Sequence, residues 1–216
     1  MTSVPKPLKT VEKGSDPLPI AVLISGRGSN LQAIIDAVGD GRLRARIAVV
    51  ISNRAAAAGL QRAEAAGIET LVRPHQQAPS RADYDALLVR ALNERGVRLV
   101  CLAGFMRLLG PVFCAAFPNA ILNVHPSLLP AFPGVEAQRQ ALEAGVPVSG
   151  ATVHFVTPEL DAGPVILQAA VPVHAGDSEA SLSARILKQE HRILPEAIQL
   201  VLDGRCHVDG GRVVIR

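Results

Sequence analysis

Tryptophan is absent from this sequence, tyrosine occurs once, and aromatic residues make up only 3% of it. A core must therefore be built from Ala, Val, Leu and Ile, and no interleaved aromatics offer a stacking platform for nucleobases. Cysteines are few: Cys101, Cys114 and Cys206 are odd in number and lack metal-ligand spacing. Cys101 and Cys114 stand in apolar surroundings and are expected as small core residues. Charge of either sign is sparse. The net charge is +3 and the cations are scattered without a basic run, which argues against nucleic acid as a partner. No window reaches the roughly 18 apolar residues that a membrane span needs. The N-terminus lacks the apolar stretch of a signal peptide, so the expected address is the cytoplasm, without membrane attachment.

What is present is globular. Hydrophobic residues are 49% and charged residues 19% of 216, enough for one domain with a large core. Residues Met1 to Leu18 are rich in Pro, Lys, Thr and Gly and read as a flexible tail, leaving 19–216 as a single domain. Ile20-Ala-Val-Leu-Ile-Ser25 is a short apolar run that enters a Gly26-Arg-Gly28 turn, the pattern of a buried strand. Leu31, Ile34, Ile35 and Val38 then mark one helix face, with Ser29 or Asn30 as the expected N-cap. The alternation continues. Strands are expected at 47–51, 68–72, 99–103 and 121–124, with helices at 56–66, 81–94 and 111–117 between them. Such βαβ units imply a mostly parallel, open, twisted sheet of the α/β class.

The texture changes near Pro126. A Pro-rich loop leads to a helix at 137–143, and strands at 151–156 and 165–173 are expected to pair antiparallel across Gly163-Pro164. Ser178 opens a long helix to about Leu202, which Pro195 is expected to bend or interrupt. A hairpin turned at Asp209-Gly-Gly211 closes the chain.

Three motifs carry chemistry. Ser25-Gly-Arg-Gly-Ser-Asn30 joins strand to helix, where glycines allow a close approach and the helix start favours an anion. It lacks the third glycine of the dinucleotide fingerprint and the Gly-Lys-Ser/Thr of a P-loop. Two readings remain, a monophosphate loop or a plain strand–helix turn. Asn123-Val-His-Pro-Ser-Leu-Leu-Pro130 lies at a strand end, the usual ligand address of an open α/β sheet. Asn123 and His125 point to one side of an extended backbone, where an amide and an imidazole can jointly grip an oxyanion. Pro126 holds His125 extended. Thr157-Pro-Glu-Leu-Asp-Ala-Gly-Pro164 offers Glu159 and Asp161. A carboxylate beside His125 would favour the imidazolium, while the plainer reading is a pair of solvated turn residues. Of the other histidines, none has metal-like spacing, and no metal is expected. His154 lies within a strand, with a packed structural role as the first expectation and a place lining the site as the second.

Taken in order, Ile24-Ser-Gly-Arg-Gly-Ser-Asn-Leu-Gln32, Leu102-Ala-Gly-Phe-Met-Arg107, Asn123 to Pro130 and His154 to Gln168 resemble the phosphoribosylglycinamide formyltransferase family, folate-dependent enzymes of purine biosynthesis. Gly176-Asp-Ser178 and Gln189-Glu-His191 extend the likeness, which runs from Ile20 to about Gly204. The resemblance implies a Rossmann-like formyltransferase fold with a phosphate-binding N-terminal half and a folate-binding C-terminal half. It implies that 10-formyltetrahydrofolate donates a formyl group to the amine of glycinamide ribonucleotide. On matching positions it makes Asn123, His125 and Asp161 catalytic: Asn123 and His125 hold the developing oxyanion with His125 as general acid, and Asp161 keeps His125 protonated and helps order a water that shuttles the proton. It assigns Gly28, Ser29, Asn30 and Glu190 to the nucleotide. Arg81, Met106, Arg107, Leu108, Leu109 and Asn123 are assigned to the folate. The family often carries histidine after the Phe-Pro-Gly turn, where this chain reads Gly134-Val-Glu-Ala-Gln-Arg139. The implied partners are small molecules, and the expected assembly is a monomer or homodimer. The alternatives ranked lower are a formyltetrahydrofolate hydrolase, whose regulatory domain an eighteen-residue tail is too short to form, and methionyl-tRNA formyltransferase, which grips tRNA. A non-catalytic folate- or nucleotide-binding module is the non-enzymatic alternative, and the intact Asn123, His125 and Asp161 argue against it.

Overall fold

In the computed structural model, residues 16–216 are described; most of the expected N-terminal tail lies outside them. The first strand, β1 (Leu18–Ile24), starts one residue before the expected onset of order. Its residues Ile20 to Ile24 are completely buried, as a strand covered on both faces by helices requires. Around it a seven-stranded sheet runs β3-β2-β1-β4-β5-β6-β7. The members are β2 (Ala45–Ser52), β3 (Thr70–Val72), β4 (Leu99–Leu102), β5 (Ile121–His125), β6 (Val148–Phe155) and β7 (Val165–Pro172). Strands β1 to β5 are mutually parallel, while β6 is antiparallel to β5 and β7 to β6. The strand order reverses between β1 and β4, so the crevice beyond their carboxyl ends is the topological switch point where ligands of such sheets bind.

The helices are α1 (Ser29–Gly39), α2 (Gly59–Ala65), α3 (Arg81–Asn93), α4 (Pro111–Ala116), α5 (Ala137–Glu143) and α6 (Glu179–Leu202). The C-terminal hairpin pairs β8 (Cys206–Asp209) with β9 (Arg212–Ile215) through Gly210 and Gly211, both at positive φ. Helix α6 packs on α1 and across β6 and β7. Its start follows the sequence: Ser178 accepts from the Ser181 N–H and the Ser181 hydroxyl accepts from the Ser178 N–H, a closed capping box.

Three local expectations are corrected. Pro195 does not interrupt α6, which is continuous over 24 residues. The missing N–H forfeits one helical bond, but Ile193, Leu194, Ala197 and Ile198 are buried around it and hold the helix together. The N-cap of α1 is Gly28 in the left-handed region rather than Ser29 or Asn30. Helix α2 begins at Gly59 instead of Ala56, because the Gly59 N–H is drawn to the carbonyl of Gly26 in the glycine loop (3.0 Å).

Candidate active site

Strand β5 delivers Asn123 and His125 to the carboxyl edge of the sheet, with Val124 between them turned into the core. His125 is buried and both of its ring nitrogens face oxygen acceptors. Nε2 lies 2.8 Å from the Phe132 carbonyl and Nδ1 lies 3.4 Å from Asp161 Oδ2. A carbonyl oxygen only accepts, so Nε2 carries the N–H that meets Phe132. Nδ1 is left to face the Asp161 carboxylate.

Asp161 belongs to the loop between β6 and β7 and adopts a left-handed backbone, φ 49. Its Oδ2 accepts the Gly134 N–H at 2.8 Å, which turns the carboxylate inward. Gly163 makes the return possible, since a Cβ there would overlap the Phe155 carbonyl. Glu159, the other acid of this loop, is exposed.

His154 is the neighbour that sequence patterns undervalued. The β5–β6 register sets it directly opposite Asn123, and facing pairs in an antiparallel ladder share one side of the sheet. Its Nδ1 donates to its neighbour's carbonyl, Phe155 O, at 2.9 Å. Its Nε2 can then accept from Asn123 Nδ2 at 3.2 Å. Burial pushes the His154 imidazole below its ordinary range and outweighs the Phe155 carbonyl and Asp161, which act the other way. A neutral ring is what this acceptor role needs. Although Asp161 Oδ1 is 3.7 Å from His154 Nε2, a lone pair there leaves that contact no hydrogen bond.

Behind these residues Thr152 donates to the Ser127 carbonyl (2.7 Å) and accepts from the Leu129 N–H (3.0 Å). Gln168 donates to the Leu129 carbonyl (2.8 Å). Together they fix the loop that carries Phe132, and through it His125. Neither residue was singled out as a support of the site, because only the β5-β6-β7 pairing brings them under the loop.

The glycine loop lies at the end of β1. Gly28, at φ 72, sits against Gly59, where a Cβ would meet the Gly59 Cα at 2.6 Å. No side chain caps α1, so its first N–H groups remain available to an anion. Asn30 Nδ2 donates to Glu190 Oε2 at 2.7 Å across the α1–α6 contact. Burial raises the Glu190 carboxyl above its ordinary range, opposed by that bond. Gly28, Ser29, Asn30 and Glu190 are thus one cluster, beside a cavity of about 390 Å³ lined by Ser29, Arg62 and His191.

Beyond β4 the segment from Met106 to Leu109 is pinned at both ends. The Met106 N–H donates to Ser25 Oγ at 2.8 Å, and Arg81 Nη2 donates to the Leu109 carbonyl at 2.5 Å. Between them Met106 and Leu108 are exposed (60% and 54%) while Leu109 is buried at 4%. Arg81, Arg107 and Leu108 line a second cavity of about 230 Å³ with His75, Ser80 and Tyr84. In the stretch after Gly134, Glu136, left-handed at φ 58, is exposed and pairs with Arg139, while Ala137 is fully buried.

Ser25 and Met106 follow β1 and β4 and His125 ends the adjacent β5, so the glycine loop with its uncapped helix start, a loop with exposed apolar side chains and the His125–Asp161 pair share one sheet edge. That is the layout of a group-transfer enzyme on an open α/β sheet. The sequence matches the formyl transferase family over residues 18–198, and the chain belongs to that family. It is 51% identical to phosphoribosylglycinamide formyltransferase of Escherichia coli over 186 residues, 86% of this chain and 88% of that protein. The trifunctional purine biosynthetic protein adenosine-3 of Homo sapiens is 52% identical over 185 residues, 86% of this chain and 18% of that protein. The chain spans about a fifth of the length of such trifunctional relatives. A crystal structure of glycinamide ribonucleotide transformylase 1 from Symbiobacterium toebii has the same fold, with a TM-score of 0.92 at 56% identity, over 96% of this chain and 98% of that one.

Proposed function

We propose that this chain transfers the formyl group of 10-formyltetrahydrofolate to the amine of glycinamide ribonucleotide, giving N-formylglycinamide ribonucleotide and tetrahydrofolate in purine biosynthesis. The observation that carries the reading is the buried His125–Asp161 contact at 3.4 Å beside the Asn123 amide. In this reading the amine attacks the formyl carbon and the carbonyl oxygen becomes an oxyanion. Asn123 Nδ2–H and His125 Nδ1–H donate to it; a single donor so placed is worth about 10²–10³ in rate. Asp161 balances the imidazolium and orders a water that relays the amine proton to the departing folate nitrogen. The C–N bond to the folate then breaks as the oxyanion collapses, so one proton leaves the amine and one reaches the folate.

Gly28, Ser29 and Asn30 hold the phosphate and Glu190 the ribose hydroxyls. The backbone of Met106, Arg107, Leu108 and Leu109 meets the pteridine, with Arg81 and Asn123 completing the folate site. The reading places the enzyme in the cytoplasm, as a monomer or homodimer; among the described residues no helix is long and apolar enough to cross a membrane. The test is to mix the purified chain with both substrates and follow folate release. Turnover with water or charged tRNA in place of the ribonucleotide, and none with it, would sink the assignment.

A further inference from the structure

Asp85 is a carboxylate buried to 1% exposure on α3, outside the chemistry described above. Its Oδ2 accepts the Gly110 N–H at 2.8 Å, while Oδ1 is buried without a hydrogen-bond partner. Arg81, one helical turn earlier, donates to the Leu109 carbonyl at 2.5 Å. The Leu109 carbonyl and the Gly110 N–H belong to one peptide group, so α3 grips both ends of a single peptide plane. Residues four apart on a helix share a face, which is what lets one helix do this. The fit favours glycine at the gripped position. The Gly110 backbone is extended, so its φ makes no demand, but a Cβ would stand 2.5 Å from Asp85 Oδ2 and 3.3 Å from Arg81 Nε.

A carboxylate buried to this depth is costly, and burial raises its carboxyl above the ordinary range although the Gly110 and Phe113 N–H groups and Arg81 act the other way. A pure packing role would be filled at lower cost by an apolar side chain. The peptide it holds directly follows the Met106–Leu109 segment, whose other end is tied to Ser25. We propose that Asp85 is a positioning residue for the formyl donor: with Arg81 it sets the Leu109–Gly110 peptide and thereby the shape of the loop that receives the folate, without touching it. This rests on the functional reading above.

The test compares Asp85→Ala, Asp85→Asn and Gly110→Ala by steady-state kinetics with each substrate varied. Asp85→Ala is expected to raise KM for the donor by about tenfold while kcat and KM for the ribonucleotide stay within a few-fold of wild type. Asp85→Asn retains an oxygen for the Gly110 N–H and is expected to restore the donor KM. Gly110→Ala displaces the carboxylate and is expected to give the same selective rise. Combined with Asp85→Ala, which frees the space, its effect is expected to fall short of additive. Should Asp85→Ala not fold, the Asn and Gly110 variants carry the comparison. An unmoved donor KM, a parallel rise in both KM values, or an Asn variant no better than Ala overturns the inference. Wild-type protein that turns over no 10-formyltetrahydrofolate overturns the functional reading and this inference with it.

Discussion

Asp161 Oδ2 stands 3.4 Å from His125 Nδ1 and accepts the Gly134 N–H at 2.8 Å. The backbone donor orients the carboxylate, and the carboxylate faces the ring nitrogen that Phe132 leaves free. The Pro-rich loop therefore serves both partners: its Phe132 carbonyl fixes the ring and its Gly134 N–H fixes the acid.

His125→Ala removes an oxyanion contact and the partner of Asp161 together. Its kcat is expected to fall by about 10³–10⁴-fold with little change in either KM. Asp161→Asn keeps an oxygen for Gly134 and removes only the charge, so a drop of about 10²-fold is expected. Initial-rate kinetics decide; near-normal kcat in both variants would refute the assigned roles.

Ser29→Asp places a carboxylate at the start of α1, where the phosphate is assigned. Repulsion is expected to raise KM for the ribonucleotide by about tenfold or more and to leave the donor KM unchanged. An unaltered ribonucleotide KM counts against the phosphate loop.

Gly28→Ala meets two obstacles, a backbone at φ 72 and a Cβ 2.6 Å from the Gly59 Cα. A loss of about 2 kcal/mol or more is expected, read as a lowered melting temperature. Gly26→Ala is the control, because its Cβ would meet nothing within 4 Å. Equal melting of the two variants would show that the glycine loop does not need to rest on α2.

Burial holds the Glu190 carboxyl above its ordinary value of 4.5, with the Asn30 bond acting against it. A raised folded-state value means that its contribution to stability is full below the unfolded value and is lost as pH rises through the folded one. Glu190→Gln keeps an oxygen for Asn30 and cannot ionise. It is expected to melt level with wild type near pH 4 and above it at about pH 8, while KM for the ribonucleotide rises. A melting difference that does not change with pH removes the linkage.

Much of this protein is legible along the chain. Apolar runs such as Ile20 to Ile24 announce buried strands, Ser178 announces the start of α6, and the period-2 geometry of a strand puts Asn123 and His125 on one side. These are local consequences of side-chain pattern and backbone sterics. Only the likeness to a known family picked out Asp161 from the acids of its loop.

Tertiary structure decided the rest. The β5–β6 register brought His154 to the Asn123 amide, and β7 brought Gln168 beneath the loop that holds His125. Contact with Gly26 set the start of α2, and burial kept α6 unbroken at Pro195. Asp85 gained its peptide partner only when α3 docked beside Gly110. Pairing register and helix docking join residues tens of positions apart, and they are set by burial of whole faces, so short-range pattern carries no record of them. The sequence supplied the amide, imidazole and carboxylate; the sheet edge made them one site.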